Sequence, residues 1–223
     1  MKKDEIEKDR LIKRWTEYTE ELYMNDPEME REFVEMPYQD EPTVIRCEME
    51  KALKDTAGRK AIGVDDLPIE LLKEAGEEAI DVLTALCQKI WETKVWPQEW
   101  QRSIFLTLPK KGDLKLFTNY RTIALISHIS KVLLRIIQNR ITTYIDRELP
   151  FEQADFRKGR GTRDQIANLR WIIEKSYEYG NALYMRFIDY NEAFDCVNHS
   201  QVWNTLRRMG IPEHITILIK NLY

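Results

Sequence analysis

The stretch ISKVLLRIIQNRITTYIDREL, residues 129–149, constrains the fold more than any other part of the chain. Val132, Leu133, Ile136, Ile137, Ile141 and Ile145 recur at helical spacing, so in a helix they share one side. A helix of that length with a continuous apolar stripe must lie against other elements. The rest of the chain therefore has to supply a core on that side.

Other helical patterns are available to do so. Ile6, Leu11, Trp15, Tyr18 and Leu22 predict an amphipathic helix over 2–24, ended by Asp26-Pro27. A shorter helix is expected over about 47–57, with Gly58 as its stop. Asp65 or Asp66 is suited to cap a helix whose first turn holds Pro68, and Gly76 separates it from a longer helix over 77–94. Trp91, Trp96 and Trp100 around Pro97 read as core aromatics. Further helices are expected over 163–179, 199–209 and 213–222, the last two divided by Gly210 and Pro212.

Two segments break this helical pattern. SIFLTLP (103–109) is short, β-prone and closed by proline, as expected of a strand. ALYMRFIDY (182–190) follows a Gly180-Asn181 turn, and its nearly continuous apolar run predicts a central strand buried on both faces. The expected class is thus α+β. Its predicted parts are an N-terminal helix (1–26), a flexible acidic linker (27–46), a helical extension (47–100) and a mixed domain (101–223).

Composition narrows the function classes. No apolar run approaches the ~20 residues of a membrane span, and Met-Lys-Lys-Asp-Glu opens no secretory signal. Cys47, Cys87 and Cys196 are scattered, which argues against a disulfide framework and for an intracellular, cytoplasmic or nuclear location. The three histidines lack zinc spacing, and there is no Walker or dinucleotide-binding glycine loop. Charge, however, is lopsided. Residues 1–100 carry 15 Lys+Arg against 26 Asp+Glu, and residues 101–223 carry 19 against 12. A basic half is what a polyphosphate partner would meet.

Three clusters of candidate residues follow. In LPKKGDLKLFTNYRTI, Lys110 and Lys111 sit beside Gly112 in an expected hairpin turn, and Arg121 begins the next apolar run; such cations clasp phosphate oxygens, or merely decorate a solvated turn. In FRKGRGTR, Arg157, Lys158, Arg160 and Arg163 stand among glycines, a footprint for a nucleic-acid backbone or a mobile charged loop. Asp189 closes the second β-prone run. A carboxylate there projects into a ligand crevice and suits a hard divalent ion, or else it caps the turn with Asn191. Asp195 has a plain alternative of its own, pairing with His199 or capping the next helix.

In order, GVDDLPIELLK, LTLPKKGD, NYRTIALISHISKVLLRII, EQADFRKGRGTRDQI, FIDYNEAFDCVNH and MGIPEH resemble the reverse transcriptases of LINE-type (non-LTR) retrotransposons, closest to the RTE-like group. The resemblance runs from RWTEYTEELY (14–23) to the last residue. It implies the fingers and the start of the palm of a right-hand polymerase. Its substrates would be an RNA template, a DNA primer and deoxynucleoside triphosphates, with Mg²⁺ as cofactor.

By the same resemblance, Asp189 is a catalytic metal ligand and the Tyr190 carbonyl shares one ion. Phe194 excludes a 2′-hydroxyl, and Arg121 with Lys110 or Lys111 holds the triphosphate. Arg157, Lys158, Arg160 and Arg163 belong to the basic half implied to contact template and primer backbones. Departures from the family pattern are Thr122 for proline, Asp155 for glycine, and Val64-Asp65-Asp66 for Pro-Asp-Gly. A lost glycine costs roughly 1 kcal/mol where the backbone needs positive φ. The family's Tyr-x-Asp-Asp turn, which carries two further carboxylates, is not within these residues. The 223 residues alone are therefore expected not to polymerise DNA, and their opened palm to want a covering partner.

Overall fold

The apolar stripe of 129–149 does become the spine of the molecule. The structure, a computed structural model, describes residues 2–23, 40–190 and 193–223. Its elements are α1 (Lys2–Tyr23), α2 (Arg46–Asp55), α3 (Ile69–Glu74), α4 (Gly76–Thr93), β1 (Ile104–Pro109), β2 (Tyr120–Leu125), α5 (His128–Glu148), α6 (Thr162–Glu178), α7 (His199–Arg208) and α8 (Glu213–Lys220). None of the described helices is long and apolar enough to cross a membrane.

Val132, Leu133, Ile136 and Ile137 of α5 are buried against Met49, Ala52 and Leu53 of α2, Leu83, Cys87, Ile90 and Trp91 of α4, and Ile215 and Leu218 of α8. Burial pushes the Cys87 thiol up to about 12, which makes it an inert core residue. Trp96 and Trp100 are buried as expected, and Trp96 Nε1 donates to the Leu218 carbonyl at 2.8 Å, tying the turn after α4 to the end of α8. Ahead of α8, Gly210 takes a φ of +73°. Across that turn Arg207 makes two parallel hydrogen bonds of 2.7 Å with Glu213, which fix α7 on α8.

The acidic stretch 27–46, read as a flexible linker, is pinned over residues 40–45; residues 24–39 lie outside the described set. Arg140 of α5 holds it. Its Nε and Nη2 donate to the two Glu48 carboxylate oxygens at 2.8 and 2.6 Å, and its Nη2 also reaches the Thr43 carbonyl at 3.0 Å. The guanidinium lies 4.4 Å from the centre of the Trp91 ring, whose Nε1 donates to the Glu41 carbonyl. At the far end, buried His214 sits 3.0 Å from Asp40. Burial opposes ionisation of Glu48, but the Arg140 hydrogen bond, the Ile45 N–H and the Arg140 charge together hold its carboxyl below the usual range. Arg140→Ala strands this half-buried carboxylate and frees the strap, so a loss of about 3 kcal/mol is expected, measured as a lower urea midpoint. Arg140→Lys recovers only part of it, because lysine has no fork.

Three local readings change. α2 ends at Asp55, three residues before Gly58, because Thr56 turns extended. Neither Asp65 nor Asp66 caps α3, since Pro68 occupies that position. Instead Asp65 accepts a 2.5 Å hydrogen bond from the Ser127 hydroxyl, and so fastens the GVDD loop to the start of α5.

The largest difference concerns 182–190. These residues form no strand and are exposed throughout. Tyr184 is 92% and Phe187 77% exposed. Strand propensity is realised only against a neighbour that completes the backbone hydrogen bonds. Among the described residues the only paired strands are β1 and β2, which pair with each other. α6, which precedes this segment, likewise buries none of its residues.

Candidate nucleotide and nucleic-acid interface

β1 and β2 form an antiparallel hairpin running from Ile104↔Leu125 to Pro109↔Tyr120. The turn between them is held by short-range polar bonds. Lys110 N–H donates to the Asn119 carbonyl at 2.6 Å, and its ammonium reaches the Thr118 carbonyl at 3.0 Å. Asn119 Nδ2 donates to the Asp113 carbonyl at 2.8 Å, and the Tyr120 hydroxyl to that of Leu114 at 3.0 Å. Gly112 has φ +135°, and a Cβ there would come within 2.8 Å of Asn119 Nδ2, so both backbone and space call for glycine. The register sets Arg121 opposite Leu108, two residues from Lys110. The hairpin thus gathers Lys110, Lys111 and Arg121 at one end, with Lys111 and Arg121 exposed.

α1 seats on that end. The Trp15 ring meets Phe117 edge-on at 4.6 Å and Tyr120 at 5.2 Å, while Tyr18 stacks on Phe117 at 6.0 Å. Of the apolar side predicted for 2–24, Trp15 and Tyr18 are therefore spent on the turn that carries the cations, while Leu11 stays 55% exposed.

The second cluster spans a folded loop, residues 150–161, and the first turn of α6, and two of its cations serve the loop itself. Arg157 donates to the Pro150 carbonyl at 3.0 Å and approaches Asp146 at 3.9 Å. Arg160 lies 4.3 Å over the Phe151 ring and donates to the Phe151 carbonyl. Lys158 and Arg163 are exposed. Phe156 is in the left-handed region at φ +57° and 85% exposed, and its ring meets Phe194 edge-on at 5.8 Å. The basic loop and Phe194 are thereby brought together.

Asp189 and Tyr190 lie in the exposed segment after α6. Asp189 makes no hydrogen bond or ion pair with another described residue. Asn191 is outside the described residues. α7 is capped by Asn198, which accepts from Gln201 N–H, so that role does not fall to Asp195. Among the described residues no three His, Cys, Asp or Glu side chains group into a metal site.

Sequence reasoning passed over Arg140, whose signal was a lone cation inside the α5 stripe between Ile136 and Tyr144. It also passed over His128, which is buried at the start of α5. Burial pushes its imidazole below the ordinary range and Lys131 adds to this, against opposing pulls from Asp65, Glu70 and the Lys60 backbone.

Residues 108–223 match the family model described as reverse transcriptase (RNA-dependent DNA polymerase). The chain is 30% identical over 168 residues to the probable RNA-directed DNA polymerase from transposon BS of Drosophila melanogaster, covering 73% of this chain and 18% of that protein. It is 23% identical over 227 residues to the RNA-directed DNA polymerase from mobile element jockey of the same organism, covering 99% of this chain and 25% of the relative. It is 30% identical over 117 residues to the Pol polyprotein from type-1 retrotransposable element R2 of Popillia japonica, covering 52% and 16%. The chain thus spans a quarter or less of each of these relatives. The matched region opens on the β1–β2 hairpin and its cations, runs through the basic loop and Asp189, and recurs in mobile-element proteins: the chain belongs to the reverse transcriptase family of LINE-type (non-LTR) retrotransposons.

Proposed function

We propose that these residues supply the fingers and the opening of the palm of a right-hand RNA-directed DNA polymerase, within the RTE-like group by its six ordered motifs. The observation that carries this reading is the hairpin, which gathers Lys110, Lys111 and Arg121 where an incoming triphosphate would be held. Phe194 is the 2′-hydroxyl gate, and its contact with Phe156 sets it beside the basic loop. Lys158 and Arg163, with Arg157 and Arg160, meet the backbones of RNA template and DNA primer. The working location is intracellular.

Mg²⁺ is the cofactor of this reading, with Asp189 and the Tyr190 carbonyl as ligands. The ion takes near-octahedral oxygen coordination, and the described residues hold no cluster of three candidate side chains. They do not by themselves fit the ion, so no step is routed through it. The 223 residues alone are expected to extend no primer. Purified chain with RNA template, DNA primer, deoxynucleotides and Mg²⁺ or Mn²⁺ checks this. Template-dependent extension that disappears with Asp189→Ala would overturn it.

A second reading, a non-catalytic nucleic-acid-binding remnant, draws on the exposed, unpaired state of 182–190. RNA binding that weakens steeply with salt is common to both readings. Polymerisation once a Tyr-x-Asp-Asp palm is joined belongs to the first alone.

A further inference from the structure

Away from the hairpin and the basic loop, a cavity of about 440 Å³ opens where α2 ends against α5. Lys131, Leu134, Arg135 and Gln138 of α5 line one side, and Asp55 and Thr56 the other. Lys131 and Arg135 are one helical turn apart and both half-buried. Neither has an ion-pair partner among the described residues; Arg135 donates only to Gln138, at 2.8 Å. Burial lowers the Lys131 pKa, with the charge of Asp65 pulling the other way. An ammonium so placed gains from any anion that enters.

The opposite side does not repel one strongly. The last carbonyls of a helix are its negative pole. Here the Lys73 ammonium already covers two of them, donating to the Lys54 carbonyl at 3.3 Å and to that of Thr56 at 2.6 Å. Asp55 is the one acidic side chain of the lining. Around it, Lys51, Lys54, Arg59 and Lys60 make residues 51–60 a basic island in the acidic half of the chain.

We propose that this cavity is a second phosphate site, which takes a backbone phosphodiester of a single-stranded RNA between Lys131 and Arg135. It rests on the nucleic-acid reading above, but concerns residues that reading does not use.

The test is fluorescence anisotropy of a labelled single-stranded RNA with the purified 223-residue chain over a salt titration. Lys131→Gln with Arg135→Gln is expected to weaken binding about tenfold at low salt. It should also make the slope of log K against log salt shallower by about 0.7, the contribution of one contacted phosphate of a single strand. Gln138→Glu, which adds a carboxylate at an exposed lining position and removes no core atom, is expected to weaken binding in the same direction. Lys131→Arg with Arg135→Lys keeps the wild-type slope. Wild-type affinity and slope in both the double-glutamine and the Gln138→Glu proteins overturn the proposal. If Arg157→Gln with Lys158→Gln removes all salt dependence while the cavity variants keep it, the cavity fails and the RNA reading stands. A wild-type chain that binds no RNA overturns both.

Discussion

Gly63→Ala is expected to cost the fold about 3 kcal/mol, because one methyl group would have to enter space already filled by backbone. A Cβ at Gly63 would lie 2.5 Å from the Ile126 carbonyl carbon, 2.6 Å from its oxygen and 2.6 Å from the Ser127 nitrogen. Backbone at the end of β2 and the start of α5 has no rotamer with which to step aside. The same loop is anchored there by the Asp65–Ser127 hydrogen bond, so the clash opposes a contact that fastens the extension to α5. For a chain of this size the thermal midpoint should fall by roughly 6–12 °C. Gly58→Ala is the comparison, since its Cβ would meet the end of the Glu70 side chain, which can move. Equal midpoints for the two variants would show that the GVDD loop does not bear on α5 as described.

That contact illustrates which levels of structure were legible beforehand. Helices α1, α4, α5, α6, α7 and α8 fall close to their predicted spans because their apolar spacing is local and repeated. Of the hairpin, β1 followed from the β-prone run ahead of Lys-Gly-Asp, whereas β2 was read only as an apolar run beginning at Arg121. What escaped is what depends on partners far along the chain. Arg140 reaches back 92 residues to Glu48, and His214 reaches 174 to Asp40, so a stretch that looked like linker is strapped down. Nothing periodic announces such pairs. The segment 182–190 shows the converse. Its composition is that of a buried strand, but a strand is a property of two segments, and among the described residues none pairs with it.

The departures from the family pattern can be weighed in the same terms. Asp66 stands where the resemblance implies glycine, and it adopts φ +53°. The backbone there lies in the left-handed region that favours glycine, a strain that aspartate tolerates better than most residues. At the other lost glycine, Asp155, the positive φ falls on the next residue, Phe156. There a bulky aromatic occupies the strained position and presents its ring to Phe194. The two departures therefore differ in weight, and the second bears on the proposed nucleotide gate.

Within a protein that carries these 223 residues followed by a Tyr-x-Asp-Asp palm and thumb, Asp189→Ala is expected to lower the rate of nucleotide addition by about 10³-fold or more. The expectation rests on charge and position. Asp189 follows the apolar run that a palm sheet would bury, and it has no hydrogen-bond or ion-pair partner among the described residues. Among the described residues it supports no helix cap and no salt bridge, so a loss of rate on its removal would point to chemistry rather than to stability. Single-turnover primer extension separates the outcomes. Asp189→Ala should lower the maximal rate while binding of the template–primer stays near wild type, because backbone contacts are proposed to lie with Arg157, Lys158, Arg160 and Arg163. Arg121→Ala should instead raise the deoxynucleotide concentration needed for half-maximal rate, as the loss of a triphosphate clasp would. If Asp189→Ala keeps a rate within about tenfold of wild type, the aspartate is a surface acid and the catalytic reading of this segment is wrong. If it abolishes folding as well as rate, the segment is structural in the joined protein, and Asp189→Asn, of nearly equal size but uncharged, then isolates the charge: a rate restored by asparagine would exclude a role for the negative charge of this residue.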